Sequence, residues 1–195
     1  LSSTGNKYSL WVNVYGVSER YLNVYGEKDL RAQMNQFFHR TYTHPVDGTT
    51  LDMKMLCNWY WYDETAILET GKGTKDWNFY RYAETLLSAA EAIAQSSGVN
   101  AEAAGYLAQV KARANMEGKD VSTIASELQR LGKQAFIEEC WKERLREFPL
   151  EMKIWDDCVR TGKFPQISAT NKGEVQFVDL IGAKNGSGAT FKATD

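Results

Sequence analysis

The sequence predicts a mainly α-helical chain, in which helical hairpins of tetratricopeptide-like character pack with an irregular, loop-rich segment containing a few short strands. Three observations predict it. Apolar residues recur at intervals of three and four from Tyr82 onward, the first 75 residues are rich in aromatics and broken by glycine, and the chain turns polar after Pro165.

From Leu1 to about Tyr25, Tyr8, Leu10, Val12 and Val14 alternate with other residues, and Gly16 and Gly26 interrupt the stretch, which predicts short strands or extended loops. Asp29 is placed as an N-cap ahead of Leu30, Met34, Phe37 and Phe38, whose spacing suits a short helix. Thr43 to Asp52, with Pro45 and Asp47-Gly48, reads as a turn or loop. Met53 to Tyr62 reads as an aromatic strand, and Thr70 to Lys75, with Gly71 and Gly73, as loop.

After Asp76, Tyr82, Leu86, Ala89, Ala90 and Ile93 define an amphipathic helix that ends near Ser96-Ser97-Gly98. Asn100 caps a second helix with Ala103, Tyr106, Leu107, Val110 and Ala114 on its apolar face, and the short linker makes the two an antiparallel hairpin. Alanine at facing positions permits close approach. A third helix is expected after Ser122, carrying Ile124 and Leu128, with Gly132 breaking it from a longer helix through Phe136, Ile137, Cys140 and Leu145. Pro149 suits the first turn of a last helix and Gly162 its end. Val175, Phe177 and Leu180 are the few apolar anchors of the tail.

At 195 residues the chain is long enough for one domain with a substantial core, and 43% hydrophobic and 25% charged residues exclude disordered and fibrous classes. No apolar run approaches the roughly 20 residues of a membrane helix. A net charge of -2 with scattered Lys and Arg offers no footprint for nucleic acid. Cys57, Cys140 and Cys158 make no disulfide framework and read as small buried hydrophobes; Cys140 and Cys158 could pair only if their helices are adjacent. The chain starts at Leu1, with neither a signal peptide nor a lipid-modified cysteine in view, and reads as a piece of something longer.

Three motifs recur along the helical part: Arg81-Tyr82-Ala83-Glu84 running into Leu86-Leu87 and Ala90-Glu91-Ala92; Val110, Arg113 and Ala114; and Glu143-Arg144, Glu147 and Glu151 followed by Trp155, Asp157 and Arg160. Together they resemble the SusD/RagB family of outer-membrane nutrient-binding lipoproteins. Ile154 stands where that family usually has Arg, Pro149 intrudes before Glu151, and a closing Trp-Pro-Ile-Pro type segment is missing. The resemblance implies the C-terminal portion of such a protein, one partial domain over 1–195. Residues 76–164 are its helical scaffold, flanked by the irregular, aromatic-rich segment 1–75 and the loop-rich tail 165–195.

It further implies non-catalytic glycan binding at the cell surface, a lipid anchor as the only membrane attachment, and delivery to a SusC-like TonB-dependent transporter. Peptide nutrients are an alternative cargo, a helical scaffold for proteins or peptides a second reading, and an enzyme fragment a third. No cofactor is implied.

The motifs themselves read as scaffold. Arg160 lies one helical turn beyond Asp156 and Asp157, and Glu143 and Glu147 share a face that needs a base such as Arg146, Lys142 or Arg113. Exposed pairs of this kind contribute only about 0.3–0.5 kcal/mol, so the expected role is to fix helix crossings through buried, satisfied networks. Glu143, Glu147 and Glu151 lie along that scaffold, which argues against the converging carboxylates that glycoside hydrolysis needs.

The resemblance also implies that sugar contacts come from loops ahead of Arg81, and candidate ligand contacts are placed there. Trp59, Tyr60, Trp61 and Tyr62 are the chief candidates, with Trp11 and Trp77, because flat rings stack on sugar C–H faces while Asn58 and Asp63 can bond hydroxyls. In a strand Trp59 and Trp61 would face one side, Tyr60 and Tyr62 the other; the competing reading is that these rings are core. Trp141 and Trp155 are expected in the core. His39 and His44, near Asp47 and Asp52, match no metal-ligand spacing and are expected as exposed loop residues.

Overall fold

A computed structural model of the chain describes residues 16–193. Two antiparallel strands, β1 (Phe38–Thr43) and β2 (Thr50–Asn58), precede five helices: α1 (Tyr82–Ser97), α2 (Ala101–Ala112), α3 (Val121–Leu128), α4 (Lys133–Glu147) and α5 (Ile154–Thr161). A second hairpin, β3 (Lys163–Ile167) and β4 (Val175–Asp179), closes the described part.

The helical expectation holds for α1, α2 and α4 because its signals are local. α1 ends where Gly98 takes φ 82°, a conformation that disfavours a Cβ. The Asn100 side chain accepts from Ala103 N at 2.9 Å and starts α2 as expected. Asp120, rather than a residue after Ser122, caps α3 through Thr123 N at 2.8 Å, and Gly132 precedes α4. Gly162, at φ 66°, closes α5.

α1 and α2 bury Ala90, Ala94, Ala103, Ala104 and Ala108 completely, with Leu87 and Leu107 among them, so two backbones approach closely around small side chains. Ile124 and Leu128 of α3, and Phe136, Ile137 and Cys140 of α4, complete this core. A smaller cluster of Val24, Tyr25, Phe38, Leu56, Leu145 and Val175 joins the first half of the chain to α4 and β4. α4 is thus covered on both sides, which is why Glu143, Arg144, Arg146 and Glu147 are buried with its apolar residues.

Several expectations are corrected. The alternating residues Tyr8, Leu10, Val12 and Val14 lie outside the described residues; later in that stretch Glu19–Val24 forms a 3-10 helix rather than a strand or extended loop, and the Tyr21 and Tyr25 hydroxyls donate to the carbonyls of Leu145 and Arg146 at the end of α4. Asp29 does cap a turn, but the helix is only Leu30–Ala32, because Arg31 turns inward to form ion pairs and Phe38 enters β1. Pro149 starts no helix: Leu150 and Met152 both take φ 59°, and α5 begins at Ile154.

The start of the tail pairs as the β3–β4 hairpin, in which Val175 is buried, and turns follow from Leu180. Trp155 is 54% exposed beside Phe191, whereas Trp141 is half-buried against Phe177. Cys140 and Cys158 are buried and free, so they do not pair. His44 is buried at the end of β1 rather than exposed, its Nδ1 accepting from the backbone N–H groups of Val46 and Asp47.

Candidate functional site

The aromatic run leaves the sheet at Asn58. The Asn58 carboxamide accepts from Tyr60 N at 2.9 Å and donates to Pro149 O at 2.7 Å, which caps a 3-10 turn over Trp59–Trp61 and ties it to the loop after α4. This corrects the expected strand. Three residues per turn bring Trp59 and Tyr62 to the same side, where their rings stack at 4.4 Å and 11° instead of facing apart.

His39 stacks on the Trp59 ring at 3.8 Å and 7°, and Tyr42 packs against both Trp59 and Tyr62. Burial lowers the pKa of His39 and, with Tyr42 nearby, raises that of Tyr62. Trp59 and Tyr62 are therefore half-buried supports.

The neighbouring rings open to solvent. Trp61 is 37% exposed and Trp77 53%, their centroids 5.4 Å apart; Phe79, 6.5 Å from Trp77, is 75% exposed. Tyr60 meets Trp61 edge-on at 4.8 Å and receives a 3.0 Å bond on its hydroxyl from Asn78 Nδ2. Lys75 lies over the Tyr60 ring and donates to the Tyr60 carbonyl. Asp63 accepts from Ala66 N at 3.1 Å and Thr74 N at 3.0 Å, holding the loop that carries Trp77 to the turn that carries Trp61; these backbone bonds lower the Asp63 pKa.

Tyr60, Trp61 and Trp77 thus share one surface, whereas Trp11 lies outside the described residues. Phe79 and Tyr80, absent from the sequence candidates, extend that surface, and Tyr80 is 79% exposed beneath Lys153. Their adjacency to Trp77 was the available signal, obscured because they precede a helix and resemble a core edge.

Directly below this surface lies a network of buried charges. Arg81, the residue before α1, bonds both carboxylate oxygens of Glu151 (2.9 and 2.7 Å) and Oε1 of Glu147 (3.0 Å), with Phe148 4.9 Å beneath its guanidinium. Glu147 also accepts from Arg31 at 3.0 Å and Arg113 at 2.9 Å. Arg31 Nη1 lies 2.9 Å from Glu143 Oε1, and Arg146 Nη1 3.2 Å from its Oε2.

Burial works against the Glu143 charge, but Arg31, Lys111 and Arg146 outweigh it and lower its pKa from 4.5 to about 2. Arg144 bonds Asp157 at 2.7 Å, and Arg160 bonds Asp157 and pairs bidentately with Glu91 at 2.8 Å. The expected bases for Glu143 and Glu147 are met by Arg146 and Arg113; Arg31, Arg81 and Lys111 are the partners that sequence spacing missed.

The three motifs are therefore one connected scaffold. The sequence model of the SusD family matches residues 11–188. The chain belongs to the SusD family. A crystal structure of a SusD superfamily protein from Parabacteroides distasonis is similar, with a TM-score of 0.73 and 26% identity; the match covers 90% of this chain and 36% of that one. This chain thus spans little more than a third of that protein's length. A comparison with curated proteins finds no match.

Within this SusD-family fold, no group of three or more His, Cys, Asp or Glu among the described residues could hold a metal ion, and no described helix is long and apolar enough to cross a membrane. His39 and His44 have separate packing roles, in the stack on Trp59 and in the hairpin turn.

Proposed function

We propose that the chain is the ligand-facing part of a non-catalytic, lipid-anchored glycan-binding protein of the outer-membrane surface, which hands its cargo to a SusC-like TonB-dependent transporter. The observation that carries this reading is the shared exposure of Trp61, Trp77 and Phe79, at successive centroid spacings of 5.4 and 6.5 Å. Trp61 stands at 69° to Trp77 and Phe79 at 29°, so the rings form an angled surface whose faces can each meet the C–H face of a pyranose, and Asn78, Tyr60 and Lys75 supply polar atoms beside them. Trp59 and Tyr62 support the platform from below.

Binding without chemistry fits the state of the carboxylates. Glu143, Glu147 and Glu151 are each locked by arginines, with side chains at most 7% exposed, so none is poised as a general acid or nucleophile.

The test is a panel of plant, host and microbial oligosaccharides, with peptide pools alongside, titrated against the protein by calorimetry. Binding of one glycan class with no release of reducing ends is expected. Silence across all glycans contradicts the reading, capture of peptides alone redirects it to peptide nutrients, and released reducing ends contradict the non-catalytic role.

A further inference from the structure

One arginine of the scaffold keeps donor capacity that the scaffold does not use. Arg113, just past α2, makes one bond, from Nη2 to Glu147 Oε1, and its side chain is 58% exposed. Arg81 by contrast commits Nε, Nη1 and Nη2 to Glu147 and Glu151. A guanidinium carries five N–H donors in a planar fork, so the Nε and Nη1 side of Arg113 is open to a second acceptor.

Arg113 lines a groove of about 620 Å³ between the start of α1 and the second half of α2, together with Tyr82, Leu86, Gln109 and Val121. Tyr82 is 72% exposed and presents an unstacked ring. Gln109 donates only to the Gly105 carbonyl, leaving its own carbonyl oxygen unengaged. The groove begins where the aromatic surface ends: Tyr82 follows Arg81, whose guanidinium lies 5.9 Å from the Tyr60 ring, and Tyr60 touches Trp61.

A ring face, a hydroxyl acceptor and a planar fork of spare donors fit a sugar bearing a carboxylate. Arg81 and Arg113 both line the groove, and the open edge of the Arg113 guanidinium matches the two oxygens of one carboxylate. We propose that this groove takes a uronic acid residue of an acidic glycan whose neighbouring sugars lie on Trp61 and Trp77. The inference rests on the glycan-capture reading and adds a charge class to it.

The probes are short oligogalacturonides and their methyl esters, which keep the rings and remove the charge, titrated beside neutral oligosaccharides on the 195-residue chain. The free acids are expected to bind about tenfold tighter than the esters at low salt, a preference that shrinks as salt rises. Arg113→Gln should bring acid and ester to equal affinity. Because Arg113 also braces Glu147, Gln109→Glu serves as the second variant: it removes no member of the ion network, and a carboxylate one helical turn before Arg113 should weaken the acids about fivefold or more by repulsion and by competition for that guanidinium, with the esters little changed. Equal binding of acid and ester by the unaltered chain, or binding of neutral glycans alone, overturns the uronate subsite and leaves glycan capture standing. Binding of no glycan at all overturns both.

Discussion

The buried ion network around α4 and the aromatic surface over residues 60–80 are neighbours of opposite kind. In the network Glu143, Arg144, Arg146 and Glu147 are all buried and every one has partners from distant segments. On the surface, Trp61, Trp77, Phe79 and Tyr80 keep 37–79% of their area in solvent; Trp61 touches Trp77, Trp77 touches Phe79, and Tyr80 lies beneath Lys153. The residues with recognisable spacing hold the fold, while the residues left open have no spacing signature. Arg81 bridges the two, reaching Glu147 and Glu151 on one side and the Tyr60 ring on the other.

The comparison breaks most visibly at Glu147. Glu147→Ala leaves Arg31, Arg81 and Arg113 short of a shared buried acceptor and should cost about 3–5 kcal/mol, enough to unfold a marginal domain; chemical denaturation monitored by circular dichroism reads it. A loss under about 1 kcal/mol would mean the network is ornamental.

Acid titration sharpens the same side. Glu143 has a folded pKa of about 2 against an ordinary 4.5, so its contribution is fully present above pH 4.5 and is lost as pH falls towards 2. The difference corresponds to about 3 kcal/mol. Stability of the unaltered chain should fall steeply between pH 5 and about 2, and Glu143→Gln should flatten that slope, while Trp61→Ala should leave it unchanged.

A smaller effect is expected at Asn100, whose side chain caps α2 outside both regions. Asn100→Ala should cost about 1 kcal/mol by thermal or chemical unfolding.

How much of this was legible depended on range. Helices α1 and α2, the Asn100 cap and the Gly98 and Gly162 stops follow from neighbours in sequence and were readable. The partners of Glu143 and Glu147 were readable only within helical reach, as with Arg146; Arg31 and Arg81 arrive through tertiary packing that no spacing encodes.

At Trp59 the local preference of aromatic residues for strands misled. The Asn58 carboxamide, tied to Pro149 O, imposed a turn that sends Trp59 and Tyr62 inward and Trp61 outward. In the tail, Val175 and Phe177 did alternate, but four surrounding glycines hid a hairpin that only pairing with Lys163–Ile167 completes.

The central claim is that the scaffold can stay whole while the open surface is removed. The double variant Trp61→Ala/Trp77→Ala tests it most directly, measured once for stability and once by calorimetry against the best glycan of the panel. Trp77 is 53% and Trp61 37% exposed and the two rings pack on one another, so the variant should stay folded and lose less stability than Glu147→Ala. Affinity should fall about tenfold or more, the sum of two lost stacking contacts at about 0.5–1.5 kcal/mol each. Unchanged affinity in a folded double variant would contradict the account.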